Sequence, residues 1–314
     1  MQRNHSIDAF RGFAIIGMVF FTLTLRLSNN LPDLLRHNVW GSTHLGDFIL
    51  PMFLFASGLS LAYYLQKREK EKRNLFIKNI SKRFIKLVLV GISLSFFSAY
   101  GFLEMDEVML SALLFVTCVV LSRFEWRVIF CIIFFINLSY FLLIVFDKVD
   151  IFIGHYLGGY PAALYYLPIM LTGFYVGRES VLNGLWCDKN KIMISATFLF
   201  FLFFIIFIPM NKLTATPSFI LLSILFSFLV FSIINVIINS ISSLKRLEYI
   251  GSKPLRYWLM MYILILIPLW FYAEFYKKKL PLDLHWYFGI SISLALIIVL
   301  LGVSYLIDYI TISN

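Results

Sequence analysis

Two short stretches of this sequence set ionisable groups against long apolar runs, where a charge needs a partner or a polar cavity. The first is Ile7-Asp8-Ala9-Phe10-Arg11-Gly12. Asp8 and Arg11 are three residues apart, so on a helix they share a face. They read either as an interfacial ion pair with Asp8 complementing the helix dipole, or as an Arg11 that faces a cavity and meets an anionic ligand. The second stretch is His37-Asn38-Val39-Trp40-Gly41-Ser42-Thr43-His44-Leu45-Gly46-Asp47, followed by Pro51, Phe53, Phe55, Gly58 and Ser60. A histidine that titrates near neutrality can take a proton from a hydroxyl or amine, or accept an acyl group itself. Asp47 at the head of the next apolar run can orient such a histidine and stabilise its charged form. By pattern alone a lone loop histidine is usually a polar surface residue, and that reading stays open. Gly41, Gly46 and Gly58 permit tight turns or close helix approach.

The elements that must position these groups are membrane helices. Of 314 residues, 61% are hydrophobic and only 14% charged, with a mean hydropathy of +0.87. Soluble chains sit nearer 45–50% apolar. Apolar runs of the roughly 17–25 residues needed to cross hydrocarbon fall near 7–27, 46–66, 84–103, 107–122, 127–146, 160–178, 191–210, 217–241, 255–273 and 286–308. The expectation is an all-α polytopic bundle of about ten transmembrane helices, forming a single domain over 1–314 with the motif-bearing helices within 5–66. The first run carries Asp8 and Arg11 and lacks a small-residue cleavage site, so it reads as a retained helix.

Charge sets the orientation. Lys67, Arg68, Lys70, Lys72, Arg73, Lys78, Lys82, Arg83 and Lys86 crowd one loop, 66–86, which the positive-inside rule makes cytoplasmic. Alternating from there puts both termini inside and the 26–46 loop, with His37, outside. Lys277, Lys278 and Lys279 then land outside, against the rule. The net charge of +10 sits in caps between apolar spans, which suits lipid head groups and excludes nucleic acid. Cys118, Cys131 and Cys187 imply no disulfide framework. His155 and His285 read as interfacial polar residues, and the histidine spacings match no metal motif, so no metal is expected.

The stretch from Ser6 to Val19, then His37-x-x-Trp40, then Asp47-x-x-x-Pro51-x-Phe53-x-Phe55-x-x-Gly58, resembles the heparan-alpha-glucosaminide N-acetyltransferase family, part of a wider group of membrane acyltransferases. Gly173 to Arg178 and Tyr249-Ile250-Gly251-Ser252-Lys253-Pro254-Leu255 resemble two weaker landmarks. The resemblance implies an enzyme that takes acetyl-CoA from the cytosol and acetylates an amino sugar or glycan across the membrane. The active histidine maps onto His37 and its acid onto Asp47. This chain departs from the pattern with His44 where the family has Thr, Thr22 where a member has Asn, and a longer stretch between Thr22 and His37. His37 can act as a base in direct transfer or carry the acyl group in a ping-pong scheme.

Holding the phosphates of CoA needs cations. Among Lys82, Arg83, Lys86, Arg178, Lys253, Arg256 and Arg11, most read as positive-inside anchors. Arg11, Lys253 and Arg256 are the candidates because they lie beside motif segments. The expected partners are membrane lipids, acyl-CoA and a sugar or glycan acceptor, with a second copy of the chain as a further candidate. The expected site is a prokaryotic plasma membrane. The alternative is a transporter or flippase for a lipid-linked or polar solute, which would favour broken helices and repeat symmetry. A non-catalytic scaffold is a third reading.

Overall fold

The computed structural model describes residues 4–28, 30–36, 43–68, 73–95, 107–146, 159–212, 214–241, 244–275 and 284–313. Among them the chain is helical, with one isolated bridge between Ser28 and Leu284. Among the described residues twelve α-helices run in order: α1 His5–Leu27, α2 Ile49–Lys67, α3 Arg73–Ser95, α4 Glu107–Leu121, α5 Trp126–Val145, α6 Gly159–Asn183, α7 Asp188–Phe207, α8 Pro217–Ile241, α9 Lys245–Ser252, α10 Pro254–Met261, α11 Ile267–Phe275 and α12 Trp286–Ser313. Short 3-10 turns at Asp33–Leu35 and Leu45–Phe48 lie between α1 and α2, and a π-helical turn, Tyr262–Leu266, joins α10 to α11.

Seven helical segments among the described residues are long and apolar enough to cross a membrane: 5–27, 45–67, 126–145, 188–207, 217–240, 254–275 and 286–311. Glu107–Leu121 is apolar but shorter. Among the described residues each of the ten apolar runs overlaps a helix or helix pair, but α3 and α6 are not among the seven. Tyr160, Pro161, Tyr165, Tyr166, Pro168 and Tyr175 dilute the apolar character of α6. α3 begins at Arg73, so much of the basic stretch expected as loop is helix. Lys78, Lys82 and Lys86 recur every four residues there and are all exposed, forming one charged face.

Hydrocarbon offers no water to backbone or hydroxyl groups, so each must be satisfied inside the protein. Ser60, Ser111, Thr117, Thr197 and Ser232 each donate to the carbonyl four residues earlier in their own helix. Phe135, Ile206, Phe275 and Tyr309 lie outward and exposed, as a lipid-facing surface allows.

The chain divides into two compact units. The first spans the described residues from Leu50 in α2 to Val236 in α8, with Thr43. Here α2 and α6 meet backbone to backbone. A Cβ on Gly58 would stand 2.1 Å from the Met170 carbonyl oxygen, and one on Gly173 would stand 2.3 Å from that of Phe55. Only glycine allows this approach. In the same unit Glu179, 2% exposed, accepts from Lys189 Nζ at 3.1 Å and from Asn183 Nδ2 at 3.0 Å. The turn between α7 and α8 is pinned by tyrosine hydroxyls: Tyr140 donates to the Thr214 carbonyl, and Tyr166 to that of Lys212 at 2.9 Å.

The second unit comprises 4–37, 44–49 and 237–314. Its helices α1 and α12 run antiparallel. The C-terminal part of α1 meets the start of α12, where Thr24 Oγ1 donates to Ser293 Oγ at 3.0 Å and Leu284 N to the Leu27 carbonyl at 3.3 Å. The N-terminal part of α1 packs against α9.

Candidate active site

Four of the five candidate residues, Arg11, Asp47, Lys253 and Arg256, are described and lie in the second unit. Asn4 caps α1, its side chain accepting from Ile7 N at 3.1 Å, and Asp8 lies in the first turn, where a negative charge favours the helix dipole. Asp8 is buried and stands 3.6 Å from Arg11. Arg11 also reaches out of its helix: Nη1 donates to the Gly251 carbonyl at 2.9 Å. Beneath that bond the two backbones touch. A Cβ on Gly12 would lie 2.0 Å from the Leu247 carbonyl oxygen, and one on Gly251 would lie 1.7 Å from that of Asp8. The Asp-x-x-Arg-Gly motif and the Tyr-Ile-Gly-Ser-Lys-Pro landmark are therefore the two faces of one contact. At its edge His5 Nδ1 and Glu248 Oε2 pair at 2.6 Å.

Two residues past Gly251 the chain turns into α10, carrying Lys253 and Arg256. Both meet Asp308, near the end of α12. Arg256 Nη1 donates to Asp308 Oδ1 at 2.5 Å, Lys253 Nζ donates to Oδ2, and the Tyr249 hydroxyl donates to Oδ2 at 2.5 Å. Tyr249 stacks on Tyr305 with ring centroids 4.3 Å apart, and the Lys253 ammonium sits 4.7 Å from the Tyr249 ring centroid. Burial, followed by the hydrogen bond to Asp308, pushes the Tyr249 phenol above its ordinary value. Arg11, Lys253 and Arg256 thus gather on the side of the unit marked by the N-terminal end of α1 and the C-terminal end of α12. Asp308 was not among the candidates. Its signal was a lone carboxylate near the end of an otherwise apolar run, facing a helix that opens with Lys253 and Arg256.

Asp47 lies elsewhere along α1. It belongs to the 3-10 turn Leu45–Phe48, which packs on α1 and on the Asp33–Leu35 turn. Asp47 is fully buried, and its Oδ2 accepts from the His44 N–H at 3.0 Å, closing the turn that leads into α2. The next residue but one, Ile49, touches Gly17: a Cβ there would stand 2.8 Å from Ile49 Cδ1. Gly17 is near the middle of α1, six residues and about 9 Å of helix rise beyond Arg11. His44 starts the turn and its backbone anchors Asp47, a structural place for the residue that departs from the family pattern. His37 and Asn38 to Ser42 lie outside the described residues, as does His155. His285 is exposed beside Tyr287, with ring centroids 4.3 Å apart.

Residues 3–183 match the family model described as heparan-alpha-glucosaminide N-acetyltransferase, catalytic. The chain belongs to the heparan-alpha-glucosaminide N-acetyltransferase family. With seven helices able to span a membrane among the described residues, it is a multi-pass membrane protein of an acetyltransferase family. The matched residues include Asp8, Arg11, His37, Asp47, Gly58 and Gly173 to Arg178; Lys253, Arg256 and Asp308 fall beyond them. No curated protein matches the chain.

Proposed function

We propose that this family member moves an acetyl or related acyl group from cytosolic acyl-CoA to an amino sugar or glycan at the extracytoplasmic face of the membrane. The observation that carries this reading is the gathering of Arg11 with Lys253 and Arg256, which follow it by more than 240 residues in sequence, while the Asp47 turn packs against the middle of α1. That arrangement supports a donor bound by its phosphates at the cation end, with its thioester arm running along α1. Guanidinium forks and an ammonium suit phosphate oxygens. The basic stretch 66–86 supports assigning the N-terminal end of α1 to the cytoplasm.

In the direct form of the reaction, His37 removes the proton from the acceptor amine or hydroxyl as that atom attacks the thioester carbonyl. CoA thiolate leaves and takes the proton back from His37. In the ping-pong form the imidazole first receives the acyl group and then yields it to the acceptor. In both, Asp47 orients the imidazole and favours its charged form. Asp47 also closes the Leu45–Phe48 turn, so it acts from a fixed position.

The test is CoA release from purified protein supplied with acetyl-CoA and a panel of amino sugars, with His37→Ala alongside. Acceptor-dependent release in the native protein and none in the variant supports the reading. A protein that binds CoA but releases none with any acceptor, or one whose His37→Ala form remains active, removes it. Accumulation of an unmodified solute in proteoliposomes would then favour a transporter.

A further inference from the structure

Each candidate phosphate-binding cation already holds an acid of this chain. Arg11 stands against Asp8, whereas Lys253 and Arg256 share the single carboxylate of Asp308. The second group therefore carries one positive charge in excess. It is also reachable: the side chains of Lys253, Arg256 and Asp308 keep 31%, 32% and 19% of their exposure. Asp308 lies five residues before the end of α12. It is held there by three converging donors, from Lys253, Arg256 and Tyr249. An ammonium, a guanidinium and a hydroxyl directed at one pair of oxygens are the donor set a phosphate group would take.

We propose that Asp308 is a built-in counter-anion that competes with the phosphates of the acyl donor for Lys253 and Arg256. This rests on the reading that a CoA thioester binds at the N-terminal end of α1. Without a donor, the carboxylate keeps the two cations paired and in position. An arriving phosphate takes over their hydrogen bonds, and Asp308 reclaims them as CoA leaves. Affinity is thereby held down, which favours release of the product carrier. The same donor set would also take the phosphate of an anionic lipid head group, so the test separates the two sources.

The test is equilibrium binding of CoA to the full chain in phosphatidylcholine nanodiscs. Asp308→Asn keeps the shape and an acceptor oxygen but removes the charge, and should tighten CoA binding by about tenfold. Acetyl-pantetheine, which has no nucleotide phosphates, should bind both forms equally. The double variant Lys253→Gln, Arg256→Gln should weaken CoA by at least about tenfold. Should Asp308→Asn fail to fold, Asp308→Ser also removes the charge while leaving Lys253, Arg256 and the Tyr249 hydroxyl in place, and should shift CoA affinity the same way. If the double variant weakens CoA but removing the Asp308 charge leaves affinity unchanged or lowers it, the counter-anion role is overturned and the donor site stands. If the double variant leaves CoA affinity unchanged, the donor site itself is wrong. If Asp308→Asn changes only the retention of phosphatidylglycerol in mixed nanodiscs, the site serves a lipid head group and the proposal falls.

Discussion

Gly251→Ala is the sharpest probe of how the site is assembled. The added Cβ would stand 1.7 Å from the Asp8 carbonyl oxygen and 2.6 Å from Gly12 N, and both atoms are backbone. No side-chain rotation can make room, so α1 and α9 must separate by about 1.5–2 Å to reach ordinary contact. Overpacking of this kind costs ~1–3 kcal/mol. Separation also stretches the 2.9 Å bond from Arg11 to the Gly251 carbonyl, worth about 1 kcal/mol net. The sum is about 2–4 kcal/mol, large beside the usual effect of one substitution. Gly302 is the matched control. It lies in α12, an added Cβ meets nothing within 4 Å, and alanine there should be neutral or stabilising by up to ~1 kcal/mol. Thermal unfolding in one detergent, followed by CoA binding at a temperature where both variants are folded, reads the outcome. Gly251→Ala should unfold several degrees below the native chain and bind CoA more weakly, while Gly302→Ala does neither. Equal midpoints for the two would refute the backbone contact and the positioning of Arg11 built on it.

His37→Ala should abolish transfer with little loss of stability, and His44→Ala should cost much less; initial rates on monodisperse protein check both. Asp47→Asn retains an oxygen to accept from the His44 N–H but loses the charge proposed to favour the imidazolium of His37, so its rate should fall between them within the ~10²–10⁴-fold range of general acid–base help, with an altered pH profile. Arg11→Lys replaces a fork by a point charge and should weaken CoA binding in a folded protein; unchanged affinity by calorimetry would return Asp8 and Arg11 to a purely structural pair. Cysteine labelling in a variant cleared of Cys118, Cys131 and Cys187 should reach positions in 66–86 and 26–46 from opposite sides of the membrane, and labelling from one side would end the proposed topology.

The helices were legible because hydrocarbon demands long apolar runs, and seven of the segments read this way are long and apolar enough to cross a membrane among the described residues. Legibility failed where charge and helix coexist. α9 carries Lys245, Arg246 and Glu248 in eight residues, too polar and too short to stand out from a loop. The start of α3 was hidden for the same reason: Lys78, Lys82 and Lys86 occupy one face of a helix whose composition suggested a loop. The run read at 217–241 matches α8, Pro217–Ile241, which follows a turn held by Asn211 and Thr216. In the site, Arg11, Lys253 and Arg256 were readable as types beside motifs, and Gly58 as a place of close approach. The partners were not: pairing Gly12 with Gly251, Gly58 with Gly173, or Asp308 with two cations is information about distance in space, which local spacing does not carry.

The contact between α1 and α9 also sets an order of events during synthesis. Arg11 and its acceptor on Gly251 lie 240 residues apart. At 5–20 residues per second, α1 waits about 12–48 s for α9 to leave the ribosome. Through that interval Asp8 and Arg11 have each other but not the backbone that covers them, and Gly12 presents a bare notch to lipid or to whatever attends insertion. A chain stopped before Lys245 never fills the notch, so the N-terminal part of α1 cannot reach its final packing until α9 has been made.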